Sequence, residues 1–225
     1  MNQIITALTV QKRNPQRVNV YLDGEFAFGL SRIVAAWLQV GQELTAEKIA
    51  ELQAQDEAEV ALQRAIRLIE IRPRSTSEIQ RKLEKNGVVE PVIEDVLERL
   101  ERNGLLNDSQ FAQLWVENRL AFHPRGRRAL AYELRGKGIP DAIIQQTLDQ
   151  YLSDEEALAY AAAQKYARKL DNLEKMDFRR KLGGFLARRG FEYDTAAPVI
   201  ERLWDEMNDP YAAQSEIIFD NEVDE

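Results

Sequence analysis

Residues Arg72–Gly104, RPRSTSEIQRKLEKNGVVEPVIEDVLERLERNG, read as two helices with their start and stop signals in place. Ser75 followed three residues later by Glu78 is a capping box. The hydroxyl can accept from the third backbone N–H of the helix, and the carboxylate can reach back to the cap's own N–H. Ile79 and Leu83 lie on one face, and Gly87 closes the segment, being the residue that enters the left-handed region without a Cβ clash. A second apolar stripe, Ile93, Val96, Leu97 and Leu100, is closed in the same way by Gly104.

The pattern returns twice. Leu83 with Gly87 recurs as Leu134 with Gly138 and as Leu186 with Gly190, at offsets of 51 and 52 residues. Ile79, Leu130 and Leu182 each precede the Leu by four. Ten residues beyond each Gly stand Leu97, Leu148 and Ile200, and thirteen beyond stand Leu100, Tyr151 and Leu203. A helix leads each copy: Asp56–Ile71, Phe111–Leu120 and Glu155–Leu170. A fixed period of this size marks a helical array. The expected fold is therefore mainly α: three tandem three-helix repeats in an elongated array, preceded by a small β-hairpin or meander.

The expected divisions are residues 1–55, 56–108, 109–152, 153–207 and an acidic, disordered tail at 208–225. The first of these has a different period. IITALTVQ, RVNVYL and EFAFGL are rich in β-branched and aromatic residues, and Asp23-Gly24 between the last two is a strong hairpin signal. Asn14-Pro15 marks the turn between the first two strands, so a three-stranded meander is expected. A two-residue loop at Asp23-Gly24 would set Glu25 opposite Leu22, which a bulged loop would avoid. Ser31 is read as the cap of a short helix RIVAAWL ending at Gly41, and Thr45 as the cap of another through Ile49 and Leu52. The helical period restarts at Gln55-Asp56. Later, Asp108 starts a helix, and Ser153 with Glu156 forms a second capping box.

Composition narrows the function. Of 225 residues, 44% are hydrophobic and 30% charged, and there is no Cys, so disulfides and thiolate chemistry are absent. No run approaches the ~18 apolar residues of a membrane span, and MNQIITALTV lacks the layout of a signal peptide, so a cytoplasmic protein is expected. The net charge of −8 is mostly the tail's, since residues 208–225 hold six acids and no Lys or Arg. Such a tail is commonly just solvated; in some proteins it mimics phosphate and shields a basic face. The single His, His123, precedes Pro124 in a loop, Ser109 has no partnering base, and phosphate-loop and metal-ligand spacings are missing. No enzyme activity, cofactor or metal is expected.

The cations are more informative. Arg72 and Arg74 precede the middle helix of the first copy, Arg125, Arg127 and Arg128 that of the second, and Arg179, Arg180 and Lys181 that of the third. Lys85, then Arg135 and Lys137, then Arg188 and Arg189 stand at the far ends. A helix N-terminus is partly positive, so Arg there is locally unfavourable by at least a few tenths of a kcal/mol. Recurrence in three copies points to a basic ridge for a partner or for DNA, to which Lys12 and Arg13 in the first hairpin turn would add. The alternative is a solvated face in which Glu78 or Asp177 pairs with these cations. Since the arginines lie outside the Leu stripes, the fold's stability is expected not to depend on them. Trp37, Trp115 and Trp204 are read as core and not as base-stacking platforms.

These segments resemble the RecX regulatory proteins, modulators of the RecA recombinase. Arg74, Ser75, Glu78, Leu83 and Gly87 match the family's first segment. Leu106, Asn107, Asp108, Phe111 and Ala112 match the second, and Arg125, Gly126, Glu133, Leu134, Lys137, Gly138 and Ile139 the third. The resemblance covers residues 56–207, with an N-terminal meander similar to that of longer members. The third repeat departs from it, with Asp177-Phe178 where the others have Arg-Ser or Arg-Gly. The resemblance implies a non-enzymatic monomer in DNA repair, homologous recombination and the SOS response. It would bind in the groove of the RecA–single-stranded DNA filament and inhibit ATP turnover and strand exchange, with no membrane contact. The competing readings are a regulator that binds duplex DNA directly and a helical-repeat scaffold for an unrelated protein.

Overall fold

The computed structural model describes residues 2–209, which form two compact units divided between Asn107 and Asp108. The first opens with strands β1 (Gln3–Gln11), β2 (Asn14–Leu22) and β3 (Glu25–Ser31), joined by a two-residue edge strand β4 (Glu43–Leu44). The antiparallel order is β3-β2-β1-β4. Ile5, Val18, Val20, Leu22 and Leu30 bury one face. Asp23 (φ 50) and Gly24 (φ 92) make the tight turn, and Leu22 does pair with Glu25. The bulge falls further along instead. Val20 pairs with Phe28 and Tyr21 with Phe26, which leaves Ala27 as the extra residue and returns the strand to register.

Four local expectations are corrected in this unit. The first turn is Lys12-Arg13, and Asn14-Pro15 begins β2, where Asn14 Oδ1 accepts the Gln16 N–H at 3.1 Å. The fourth strand, only two residues long, was not expected. Helix α1 spans only Arg32–Ala35, and Ser31 stands at its N-cap without a side-chain cap bond. The chain leaves the helix after Ala36, which turns Leu38 inward and leaves Trp37 87% exposed, so Trp37 is not core. Finally, α2 runs unbroken from Ala46 to Ile71, capped by Thr45 and passing through Gln55-Asp56 without a break. It contains no Gly or Pro. What changes near residue 56 is the face that is buried. Leu52 packs into the sheet core, Asp56 receives Arg17 Nη2 at 2.8 Å and the Ser31 N–H, and Ala61 and Ala65 turn to the next helices.

With α2, helices α3 (Thr76–Lys85) and α4 (Glu90–Arg102) complete the first three-helix repeat. The second unit holds α5 (Asp108–Phe122), α6 (Arg127–Gly136) and α7 (Asp141–Tyr151), then α8 (Glu155–Ala167), a short 3-10 turn, α9 (Lys175–Arg188) and α10 (Tyr193–Asn208). The chain is thus mainly α with three helical repeats in tandem after a small sheet. Ile79, Leu130 and Leu182, like Leu83, Leu134 and Leu186, are completely buried. The middle helices end alike. Gly87, Gly138 and Gly190 have φ of 80, 78 and 87, and the next amide donates to the Leu83, Leu134 or Leu186 carbonyl at 3.2, 3.1 and 3.2 Å. This double closure is the Schellman motif, and Gly104 (φ 68) repeats it on the Leu100 carbonyl.

Two differences set the third repeat apart. Asp154, accepting the Ala157 N–H at 2.9 Å, caps α8 in place of the expected box on Ser153 and Glu156. Helix α9 starts four residues early relative to α3 and α6, so Asp177 and Phe178 lie inside it. Phe178 is fully buried against Trp204, with ring centroids 5.2 Å apart. Trp115 and Trp204 are partly buried beside their repeats' cores, as expected. The acidic tail lies outside the described residues from 210 onward, α10 running to Asn208.

Within the second unit the two repeats meet backbone to backbone. A Cβ at Gly126 would stand 2.5 Å from the Gly190 carbonyl oxygen, and one at Gly190 would overlap the Ala129 nitrogen and Cβ. At Gly138, by contrast, a Cβ would meet nothing within 4 Å. Gly138→Ala should therefore cost only the left-handed backbone term, about 1 kcal/mol. Gly190→Ala should add a steric cost of about 1–3 kcal/mol. Chemical denaturation of the two variants checks the order; equal losses would mean the repeats are not in this close contact.

Candidate functional site

The segment entering α6 places cations where the α6 dipole disfavours them, and the compensation comes from the neighbouring repeat. The C-terminal carbonyls of α9, partly negative, end against this segment. Arg128 Nη2 donates to the Ala187 carbonyl at 3.1 Å, the Gly126 N–H to the Arg189 carbonyl at 3.0 Å, and Arg189 Nη1 to the Pro124 carbonyl at 3.0 Å. The Arg127 N–H donates to Glu155 Oε1 at 2.8 Å and its guanidinium reaches Asp149 on α7 at 2.7 Å. Desolvation, and then the nearby positive charge of Arg125, hold Arg189 below the usual guanidinium range.

Arg125 belongs to a network that the sequence did not reveal. Its Nε lies 3.0 Å from Glu133 Oε1, while Glu133 Oε2 accepts from Trp115 Nε1 and Arg119 Nε, both at 2.8 Å. Arg119 and Lys137 stand over the Trp115 ring at 4.6 and 4.8 Å. The pairing of Trp115 and Arg119 at helical spacing was the available signal. Nothing in the sequence indicated that Glu133, on a different helix, would meet both.

Elsewhere most of the expected cations are also engaged. Arg72 Nη1 and Nη2 each lie 3.0 Å from a Glu78 oxygen, and these bonds raise the Arg72 pKa; Arg74 Nε reaches the Leu68 carbonyl at 3.4 Å. Arg135 pairs with Asp141 at 2.7 Å and Arg180 with Asp177 at 2.8 Å. Glu201 takes both Arg179 at 2.8 Å and Lys175 at 3.1 Å. Because α9 starts early, Arg179, Arg180 and Lys181 sit in its second turn and not at its N-terminus, which corrects the expected third corner. Lys12, Arg13, Lys85, Lys181 and Arg188 are exposed and make no ion pair among the described residues. Lys181 and Arg188 are two turns apart on one face of α9.

The expected ridge joined equivalent corners of successive repeats. At the junction of the second and third, the structure instead joins opposite ends: the start of α6 with the end of α9. Arg125, Arg127 and Arg128 are thereby gathered with Arg189, and Arg188 stands exposed beside it.

This architecture has counterparts. A family model described as the RecX N-terminal domain matches residues 3–45, and models of the first, second and third RecX three-helix domains match 61–100, 107–148 and 154–200. The chain belongs to the RecX family. It is 31% identical over 208 residues to the regulatory protein RecX of Bacillus licheniformis, covering 91% of this chain and 79% of that one. To that of Clostridium perfringens strain 13 it is 32% identical over 204 residues, covering 88% and 95%. A crystal structure of regulatory protein RecX superposes with a TM-score of 0.74 at 26% identity, over 88% of this chain and 99% of that one. RecX from Lactobacillus salivarius shares the fold at a TM-score of 0.61 and 24% identity, over 66% and 97%.

The bonds of Arg125, Arg127 and Arg128 argue against the expectation that stability is indifferent to them. Replacing all three with Ala should cost the second unit about 1–3 kcal/mol, through lost charged hydrogen bonds and an orphaned share of Glu133. Lys181→Gln with Arg188→Gln should stay within about 0.5 kcal/mol. Denaturant midpoints decide; an unchanged triple variant would show that these bonds contribute nothing net.

Proposed function

We propose that this chain is a non-enzymatic regulator that binds the RecA–single-stranded DNA filament and inhibits its ATPase and strand exchange, in homologous recombination and DNA repair. The observation that carries this reading is family membership across all four domains, sheet and three repeats alike. The surface chemistry supports it. Lys12, Arg13, Lys85, Lys181 and Arg188 are exposed cations with no ion-pair partner among the described residues, available to acidic side chains or DNA phosphates. Arg72, Arg74, Arg127, Arg135 and Arg179 would need to exchange or share an internal partner, which lowers their share of the binding free energy. We place the protein in the cytoplasm as a monomer; no helix among the described residues is long and apolar enough to cross a membrane.

The test is to add the purified chain to RecA filaments on single-stranded DNA and follow ATP hydrolysis. Hydrolysis should fall, and inhibition should weaken as salt rises. Lys181→Gln with Arg188→Gln should raise the inhibitor concentration needed. If both cations meet phosphate, the log–log salt slope should become shallower by about 1.4. Unchanged hydrolysis together with no filament binding would sink the proposal. Full inhibition by the variant would move the contact to Lys12, Arg13 and Lys85.

A further inference from the structure

The hairpin turn Lys12-Arg13 leads into the start of β2, and this end of the sheet borders the middle of α2 across a cleft of about 260 Å³. Asn14, Gln16 and Arg17 line it from β2, and Arg64 and Arg67 from α2. Ala61 and Ala65 carry the buried face of α2 here. Arg64 and Arg67 lie exposed outside that face, three residues apart and therefore neighbours on the helix surface.

The charges lining this cleft are not balanced from within. Its one carboxylate, Glu59, is buried and already accepts from Gln63 Nε2 at 3.0 Å and Arg99 Nη2 at 3.4 Å. Arg17 is engaged as well, since Nη2 donates to the Gly29 carbonyl at 2.7 Å and to Asp56 at 2.8 Å. Arg64 and Arg67 make no hydrogen bond or ion pair among the described residues, not even with Glu70, one turn beyond Arg67. Ser31, also in the wall, does not cap α1 with its side chain, and its buried hydroxyl has no hydrogen-bond partner among the described residues. Donors therefore exceed acceptors around this space. A second cleft of about 420 Å³ shares Arg17, Val60 and Arg64, but Asp56 and Glu57 line it too and offset the two cations. The excess positive charge belongs to the first.

We propose that the cleft between β2 and α2 binds the phosphate groups of a ligand carrying at least two adjacent negative charges. Arg64 and Arg67 supply the main contacts, because a free guanidinium fork matches phosphate oxygens in both charge and geometry. Arg17 stands fixed behind them, and the side-chain amides of Asn14 and Gln16 complete the donor set. The ligand is either a free di- or triphosphate or successive phosphates of a nucleic acid strand. This site goes beyond the reading of the chain as a filament regulator and does not depend on it.

Calorimetric titration of the full-length protein with pyrophosphate, without recombinase, tests the site. Pyrophosphate should bind one-to-one and raise the thermal midpoint. Arg64→Gln with Arg67→Gln should weaken binding about tenfold. The ligand-free midpoint should stay unchanged, because neither side chain has an internal partner. Arg64→Lys with Arg67→Lys should fall between, keeping the charge and losing the fork. The control is Lys165→Gln with Arg168→Gln, which removes two exposed cations at the same spacing, without ion pairs among the described residues and outside the cleft. It should leave the affinity within about twofold. Equal losses from the two Gln pairs, or no saturable binding, overturns the proposal. A short thymidine oligonucleotide that displaces pyrophosphate assigns the site to strand phosphates, and one that does not assigns it to a free phosphate ligand. A polyglutamate peptide that binds as tightly as pyrophosphate, with the same loss in the Arg64 and Arg67 variant, overturns the phosphate assignment in favour of acidic side chains.

Discussion

An α-helix leaves its last carbonyls without partners, and a chain that must turn sharply at that point can satisfy them only by passing through the left-handed region. Here that requirement fixes where each repeat bends. The carbonyl of a fully buried Leu accepts the amide five residues on, so the residue that anchors the core is also the one whose carbonyl closes the cap. Core position and turn position are thereby locked to one another. The following helix is aimed by the same few bonds, which is how three repeats sharing few residues keep one architecture.

That locking explains what was legible in the sequence. Leu at one position and Gly four later is a local pattern with a local cause, so the glycine-closed ends, buried Leu faces and number of the repeats are legible. The losses were tertiary. Helix α2 changes its buried face from sheet to helices at Asp56, which looks in the sequence like a break in period although the backbone continues. Trp37 reads as core by residue type, but the chain leaves α1 just before it and only Leu38 turns inward. The two-residue β4 is too short to carry any periodic signal.

The candidate site was legible as composition and not as geometry. A run such as Arg125–Arg128 announces that anions or carbonyls are near, without saying whose. In this molecule they belong to Glu133, Asp149, Glu155 and the end of α9. A cation placed at the wrong end of its own helix is at the right end of its neighbour's. Dipole arguments confined to one helix therefore overstate the need for an outside ligand.

Phe178 occupies the position that Gly126 holds in the preceding repeat. Gly126 is bare because the turn after α9 lies against it, whereas Phe178 fills its own core. The second repeat thus presents a socket and the third presents none, although both end in the same kind of glycine turn. Stacking by this rule has a direction: a repeat of the third type can be received by a neighbour but cannot itself receive one.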